Sequence, residues 1–363
     1  MRATWCGDDI QLQGTATTSN NQAGKYRLAG SVDCTASAGC SPSAPTVRST
    51  IIDTNVCVRR PSFEFRPLGG LVRVEVQIVN ALTDGKVGGN PAGVVIDADA
   101  LTAGQKLHVA QQAALSETAF VSKSDIATVK LEFFTPTRQI AHCGHATIAT
   151  FSLLRELGRV GDGKSSKETI DGCRDIVIDG DTVLMEQRSP TYRSISADSP
   201  FSAKIAQSLG VSTAQIHSVE SPTVVNTGNS FLMIALPDEP SVAAIRPDQH
   251  AIESISDELD LIGYYVFSTT TKIPGRHAGA RMFAPRFGIA EESATGTAAG
   301  PLACLLYDRM GAGDTEMAIE QGHLMQPPSP SVIKVILDVD GGKISRLMAG
   351  GTGVVMRSIT VEI

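Results

Sequence analysis

Two stretches of the chain decide its fold: FFTPTRQIAHCGHAT at residues 133–147 and RMFAPRFGIAEESATGTAA at residues 281–299. In each stretch an apolar strand ends near a proline, a loop follows, and small residues then open a helix. This order of elements recurs about 150 residues further along the chain, and such a recurrence is typical of duplicated structural units. The sequence therefore predicts two similar domains.

The segments around the first stretch have strand and helix patterns. Residues 72–78 alternate apolar and polar side chains, which is typical of a strand with one face in the core. A glycine-rich turn follows at residues 88–93, and Thr102 with Gln105 three residues later resembles a capping box, which predicts a helix through Ala114. We further predict strands at 118–122, 129–134, 175–178 and 182–187, and a helix from residue 144 to a glycine cap at Gly158.

The segments around the second stretch predict a comparable set of elements. Residues 200–209 have the pattern of a helix, and strands are predicted within 224–236 and at 264–267. The helix that Gly296 opens continues to Tyr307. The glycines of residues 350–353 lack the GK[ST] sequence of a phosphate-binding loop, so we predict a tight turn there, before the last strand.

The composition changes along the chain and indicates how it is divided. Residues 1–70 are rich in Ser, Thr and Gly, so we expect a poorly ordered N-terminal extension. The first domain is predicted at residues 71–188 and is completed by a C-terminal strand at about 348–363. A composition break at residues 161–167 falls within this domain, because the short strands that follow the break can still belong to it. The second domain is predicted at residues 189–347.

Charge and cysteine usage limit the classes of function. A net charge of −7 without a long basic run argues against a nucleic-acid partner. The seven cysteines lack CxxC or CxxH spacing, which argues against a disulfide framework or a zinc module. No apolar run has the length of about 20 residues that spans a membrane, and no signal-peptide pattern is present. We expect a cytoplasmic protein with a small-molecule substrate and no nucleic-acid or membrane partner; a homodimer is compatible with the sequence.

The helix starts after residues 143 and 295 suggest chemistry. A helix N-terminus made of small residues exposes unpaired backbone N–H groups and a partial positive charge, so it can hold a carboxylate or a developing enolate. Breaking a carbon–hydrogen bond next to a carbonyl also needs a base. The candidate side chains for this work are Glu117, Cys143, His145, Glu291 and Glu292.

Each candidate also has a plainer interpretation. Glu117 could be a solvated glutamate at a strand start, Cys143 a small buried hydrophobe and His145 a helix cap. Glu291 and Glu292 could be surface charges near a helix start. A metal site at His142, Cys143 and His145 and a Cys–His hydrolase are the less favoured chemical alternatives, since no second ligand pair follows and adjacent residues rarely give a nucleophile and base their geometry.

Several ordered motifs together resemble the PhzF-like phenazine-biosynthesis family. The resemblance covers roughly residues 73–363. The motifs are NPAGVV at 90–95, LSETAFV at 115–121, FTP at 134–136, CGHAT at 143–147, GIAEESATGTA at 288–298, IEQGH at 319–323 and GGTG at 350–353.

The resemblance implies an α+β fold of the diaminopimelate-epimerase type. In this fold two similar domains, each a mixed or antiparallel sheet wrapped around a central helix, enclose an active-site cleft. It implies a cofactor-independent isomerase in which Glu117 moves a proton, with His145, Glu292 and Thr297 completing the catalytic set and no metal required. The implied substrate contacts are Asn90, Ser116, Cys143, Gly144, Ala146, Thr295 and Gly296.

Three departures from the family pattern bear on the substrate and the reaction. Glu292 stands where aspartate is common, Thr297 where serine is common, and Gln139 where glutamate is usual. Related two-thiol racemases need a second cysteine where this chain has Thr295, whose hydroxyl is too weak an acid to become the matching base. The alternatives that stay open are a dehydratase or epimerase of a hydroxy or amino acid, and a metabolite-binding or scaffold protein that has lost the chemistry.

Overall fold

The computed structural model describes residues 72–271 and 273–363. The extension predicted at residues 1–70 lies outside the described residues. The strands, numbered β1 to β17, are Arg73–Ala81, Asn90–Val95, Thr118–Ser122, Val129–Phe134, Gln139–Ile140, Gly163–Thr169, Gly172–Asp179, Thr182–Arg188, Thr191–Ser194, Thr223–Asn226, Ser230–Ala235, Gly263–Ser268, Ala278–Ala284, Ile289–Glu292, Glu316–Gln321, Ser331–Asp340 and Lys343–Glu362.

Helices of four to fifteen residues connect or fill the sheets. They are numbered α1 to α7 in chain order. Their bounds are Ala103–Ala113, Gly144–Glu156, Pro200–Leu209, Thr213–Ile216, Glu239–Ala244, Gln249–Leu259 and Gly296–Met310. None of the described helices combines the length and the apolar character that crossing a membrane requires.

The longest strand, β17, joins the two halves of the described chain. It has 20 residues and pairs antiparallel with β16 and β8 along its first part and with β1 along its second part. Hydrogen-bonded pairs link the described strands in one continuous network, and most neighbours run antiparallel. A parallel pair joins β2 to β3 and another joins β11 to β12. The sheets are therefore mixed, as predicted.

The described strands wrap around two central helices, α2 and α7. Nine residues of α2, from His145 to Leu154, are buried, and α7 is buried almost continuously from Gly296 to Leu306. A helix with apolar residues on all faces belongs inside a core rather than at a surface. The strands β1, β2 and β8 pack around α2, β10 and β16 pack around α7, and β17 contacts both. The predicted α+β class, with sheets wrapped around central helices, is confirmed.

Capping chemistry and side-chain period account for the elements that the sequence predicted well. Thr102 and Gln105 form the expected capping box at the start of α1. Ser199 caps α3, which begins with Pro200 and ends at the left-handed Gly210. Most of the segment with the composition break, residues 161–167, belongs to β6, which pairs with β7.

The prediction of a tight turn at residues 350–353 was wrong, because these residues lie inside β17. Their glycines serve close packing instead. A Cβ atom on Gly350 would lie 1.9 Å from the carbonyl oxygen of Val183, and one on Gly353 would lie 2.5 Å from the Ser152 hydroxyl oxygen. The β8 backbone and the Ser152 side chain of α2 can approach β17 this closely only because Gly350 and Gly353 have no Cβ atom.

We predict that Gly350→Ala lowers the free energy of unfolding by at least about 3 kcal/mol, because the new methyl group would displace the β8 backbone. Urea denaturation measures this change. Gly104→Ala on α1 is the control, since a Cβ there meets nothing within 4 Å and should leave stability unchanged or slightly increased. Equal stability of the two variants would contradict the packing argument.

Candidate active site

The N-termini of α2 and α7 meet at a cavity of 890 Å³. Gly144 opens α2 and Gly296 opens α7, and both line the cavity. A Cβ atom on Gly144 would lie 3.3 Å from the Thr297 methyl carbon, so the two helix starts are in near contact. Because the first N–H groups of a helix have no partner within it, the cavity receives donors and positive potential from two directions.

Most of the site residues predicted from the sequence lie together at this cavity. Those that line it are Ser116, Glu117, Cys143, Gly144, His145, Glu292, Thr295, Gly296 and Thr297. Asn90 and Ala146 do not line it. The Asn90 side chain instead donates to Glu292 Oε1 at 2.6 Å and to the Ala294 carbonyl at 3.1 Å. The Ala146 side chain is fully buried in the core, and its backbone N–H faces the Cys143 thiol.

Three side chains of the first half form a connected row. Glu117 immediately precedes β3, and its carbonyl accepts from Gly93 N at 3.0 Å, which attaches this residue to β2. Glu117 Oε2 lies 3.3 Å from His145 Nε2, and His145 Nδ1 lies 3.7 Å from Cys143 Sγ. Glu117 Oε2 and His145 Nε2 are both buried and neither makes a hydrogen bond of good geometry within the described residues. The hydrogen-bonding capacity of both atoms is therefore unused among the described residues, and both residues line the cavity.

The charge states of this row follow from its burial. Burial lowers the pKa of His145, although the negative charge of Glu117 opposes the shift, so the imidazole is neutral at neutral pH. Burial and the Glu117 charge raise the pKa of the Cys143 thiol well above its ordinary value. A protonated thiol is a poor base. Glu117 is therefore the better candidate for proton removal.

Glu292, from the second half of the chain, provides a carboxyl group of a different kind. Burial, together with the Glu117 charge, raises its pKa from 4.5 to about 8, and the hydrogen bond from Asn90 opposes this shift. Glu292 is thus protonated at neutral pH. A protonated carboxyl group can donate a hydrogen bond or a proton, which is the role opposite to that of a base.

The side chain of Gln321 holds the start of α7 in place, although it is not among the site residues predicted from the sequence. Gln321 Nε2 donates to the Glu292 carbonyl at 2.7 Å and to Thr295 Oγ1 at 3.2 Å. Its Oε1 accepts from Thr295 N at 3.1 Å and from the Tyr265 hydroxyl at 2.9 Å. The only sequence signal was its position in the IEQGH motif, which does not reveal its partners.

Glu291, the remaining candidate, has a structural environment. It forms a two-bond ion pair with Arg281, with both N–O distances 2.8 Å, and it does not line the cavity. The adjacent Glu292 faces the cavity because successive side chains of a strand point to opposite faces, and both residues belong to β14. The pair Glu291–Arg281 therefore anchors the strand that presents Glu292.

A metal ion would find one set of donors in the described part of the site. One ligand atom each from Glu117, Cys143 and His145 lies within 4.8 Å of the others. Carboxylate, thiolate and imidazole are ligands that Zn²⁺ accepts. His142, which the sequence analysis considered with Cys143 and His145, is not part of this set.

Comparison with known proteins identifies relatives along most of the chain. A sequence profile described as phenazine biosynthesis-like protein, PhzC-PhzF, matches residues 79–358. The uncharacterized isomerase YddE of Escherichia coli O157:H7 is 31% identical over 69% of this chain and 86% of its own length. The trans-2,3-dihydro-3-hydroxyanthranilate isomerase of Pseudomonas chlororaphis is 28% identical over 76% of this chain and 95% of its own length.

The solved structures give the same result for the fold. A Bacillus anthracis phenazine biosynthesis protein of the PhzF family superimposes with a TM-score of 0.73. It is 24% identical to this chain and covers 80% of it, with all of the solved chain included. At this identity the likeness establishes the fold, including the arrangement of sheets around central helices.

We predict that Glu292 titrates with a midpoint near pH 8, measurable by carboxyl ¹³C NMR. The midpoint should fall in Glu117→Gln, which removes the neighbouring negative charge, and rise in Asn90→Ala, which removes a bond to the ionised form. The exposed Asp198→Asn is the control and should leave it unchanged. A wild-type midpoint near 4.5 would show that Glu292 is not shielded from water.

Proposed function

We propose, on the premise that this chain belongs to the phenazine biosynthesis-like protein family, that it is a cofactor-independent isomerase of a small carboxylate-bearing metabolite. Glu117 is the general base and the general acid. Two observations carry this proposal: Glu117 lines the cavity where two helix N-termini meet, and its buried Oε2 has no hydrogen-bond partner of good geometry in the described structure.

The proposed reaction moves one proton between two carbons of the substrate. The Glu117 carboxylate takes the proton from an acidic carbon, so that a C–H bond breaks and an O–H bond forms on Glu117. The electron pair moves through the conjugated system of the substrate to an oxygen or nitrogen atom. Glu117 then returns the proton to a second carbon, and the electron pair forms the new C–H bond. No atom is gained or lost.

The surrounding groups support the charge that develops between these two steps. The N–H groups at the starts of α2 and α7 can donate to the atom that gains negative charge. The neutral His145 and the protonated Glu292 add donors without adding charge of their own. Thr297 lines the same cavity and contributes a hydroxyl group from the second half.

The name of one relative suggests the first substrate to test. The Pseudomonas chlororaphis relative is named for trans-2,3-dihydro-3-hydroxyanthranilate, a cyclic metabolite with a carboxylate and a conjugated system. We propose that this chain acts on a substrate of that chemical class. A two-thiol racemisation has little support, because the Cys143 thiol has a raised pKa and Thr295 stands at the opposite helix start.

We predict that Glu117→Gln reduces proton exchange by at least about 100-fold, because the amide cannot accept the substrate proton. The measurement is incorporation of deuterium from D₂O into trans-2,3-dihydro-3-hydroxyanthranilate and related unsaturated carboxylates, followed by mass spectrometry. Glu258→Gln is the matched control, since Glu258 is on α6 and pairs with Lys204 at 3.3 Å. It should exchange at the wild-type rate.

Two outcomes would contradict the proposal. Full exchange in Glu117→Gln would exclude Glu117 as the proton carrier. Binding of these carboxylates by the wild-type protein without any exchange would favour the metabolite-binding alternative over an isomerase.

We also predict that prolonged treatment with a chelator leaves the exchange rate unchanged, because no step uses a metal. Added Zn²⁺ should inhibit, because Glu117, Cys143 and His145 can bind it together. Cys143→Ala should weaken that inhibition by at least about tenfold, while Cys173→Ala, at an exposed cysteine, should not. Loss of exchange on chelation and its recovery with a divalent metal would contradict the cofactor-independent mechanism.

A further inference from the structure

The main cavity has an apolar wall beside its catalytic groups. The four side chains of this wall, which all line the cavity, are Ile140, Ile262, Phe287 and Ile289. The three isoleucines are half buried and pack against the hydrophobic core that contains α2 and α7. Phe287 is 43% exposed. The core is therefore open to the cavity at this wall, and the proposed proton transfer uses none of the wall residues.

The apolar wall and Glu292 share one strand. Ile289 begins β14 and Glu292 ends it, and residues an odd number apart on a regular strand point to opposite faces. Ala284 of β13 pairs with Ile289 and Met282 pairs with Glu292, so β14 has one residue more than β13 between these pairs. An extra residue of this kind lets both side chains line the same cavity.

The strand geometry also gives the separation of Ile289 from Glu292. Two residues of β13 rise by about 7 Å and three residues of an extended strand by about 10 Å, so the two Cα atoms lie within about that range of each other. One ligand can therefore contact both residues. A ligand that does so is longer than the proton transfer alone requires.

Phe287 is held at the wall through its neighbour Arg286. Arg286 Nε lies 2.8 Å from Asp257 Oδ1, and its Nη1 lies 3.0 Å from Asp260 Oδ1, at the end of α6. The guanidinium carbon lies 5.7 Å from the centroid of the Phe287 ring, which is a cation–π distance. The charge of Arg286 is thus balanced by two carboxylates, and the segment that carries Phe287 is attached to α6.

The volume of the cavity is large for a ligand of one ring. At 890 Å³ it lies near the upper end of the range of about 300 to 1,000 Å³ that takes drug-sized ligands. Such ligands are bound mainly by apolar side chains, and a few polar groups fix their orientation. Arg138 and Asp171 also line the cavity, and both are exposed to solvent. An apolar group of a ligand is therefore best accommodated at the wall.

We infer that the apolar wall binds an uncharged apolar group of the substrate, a second ring or an alkyl chain, on the side away from the acidic carbon. The substrate class is then an unsaturated carboxylate larger than the single ring of trans-2,3-dihydro-3-hydroxyanthranilate. This inference rests on the proposed function for the reacting part of the ligand. The acidic carbon stays at Glu117, and the wall adds affinity because apolar surface is buried there.

The test compares binding of anthranilate with binding of 3-amino-2-naphthoate, which is anthranilate with a second fused ring, by isothermal titration calorimetry. The wild-type protein should bind 3-amino-2-naphthoate at least about tenfold more tightly, because the added ring moves from water to the wall. Phe287→Ala and Ile289→Thr should each reduce this preference by at least about threefold. Ile126→Thr is the matched control: it changes an exposed isoleucine between β3 and β4 and should retain the wild-type preference.

A second measurement locates the added ring. In protein with ¹³C-labelled isoleucine methyl groups, 3-amino-2-naphthoate should shift the signals of Ile140, Ile262 and Ile289 more than anthranilate does, because the second ring adds its own ring current. The Ile126 signal should respond to neither ligand. If Ile289→Thr does not fold, Phe287→Ala and the wild-type methyl spectrum still decide the question.

Three binding results would overturn the inference: equal wild-type affinity for the two ligands, binding of neither, or an unchanged preference in folded Phe287→Ala and Ile289→Thr. A concentration-dependent dimer in which the wall methyl signals shift without ligand would also overturn it, because a second copy would then cover the wall. These measurements need no turnover. Ring-selective binding without isotope exchange would remove the isomerase proposal alone, and isotope exchange without ring selectivity would remove the role of the apolar wall alone.

Discussion

The near contact between the starts of α2 and α7 is the constraint on which the site depends. A Cβ atom on Gly144 would push the Thr297 methyl group away by a few tenths of an ångström, so the two helix starts approach this closely because residue 144 is glycine. Both helices are buried in one continuous hydrophobic core, and β17 contacts both. The packing of this core therefore brings two sets of unpaired helix N–H groups to one cavity.

The same convergence sets the electrostatics of the cavity. Glu117 comes from the first half and Glu292 from the second, and the charge of Glu117 is one cause of the raised Glu292 pKa. The hydrogen bond from Asn90, which lies on β2, crosses between the halves to reach Glu292. One carboxylate, one protonated carboxyl and one neutral imidazole then share the site. This combination suits transfer of a proton with little change of net charge.

Local patterns in the sequence were sufficient for the helix starts and most strands, and the family resemblance supplied most of the predicted residues that line the cavity. Capping at Thr102 and Ser199 depends on side chains a few residues apart, so it can be recognised directly. Contacts between distant segments could not be. Gln321 reaches Thr295, Lys167 reaches His142, and Gly350 packs against Val183, and none of these pairs is close in sequence.

The glycines of β17 show most clearly why contacts between distant segments could not be predicted from local sequence. A glycine cluster is ordinary in a turn, and only the neighbouring β8 backbone shows that here it permits close strand packing. The division into domains at residues 71–188 and 189–347 stays a prediction, as do the roles of the individual site residues. Gln321, which was not predicted, supports the site by hydrogen bonds to residues that line the cavity, and hydrophobic periodicity does not reveal such contacts.

A crystal structure of the protein with bound trans-2,3-dihydro-3-hydroxyanthranilate, determined in the inactive Glu117→Gln variant, tests the central claim most directly. We predict that an acidic carbon of the ligand lies about 3 to 3.5 Å from the side chain of residue 117. We also predict that a conjugated heteroatom faces the N–H groups at the starts of α2 and α7. A ligand bound in the cavity with its acidic carbon far from residue 117, or bound outside the cavity, would contradict the account.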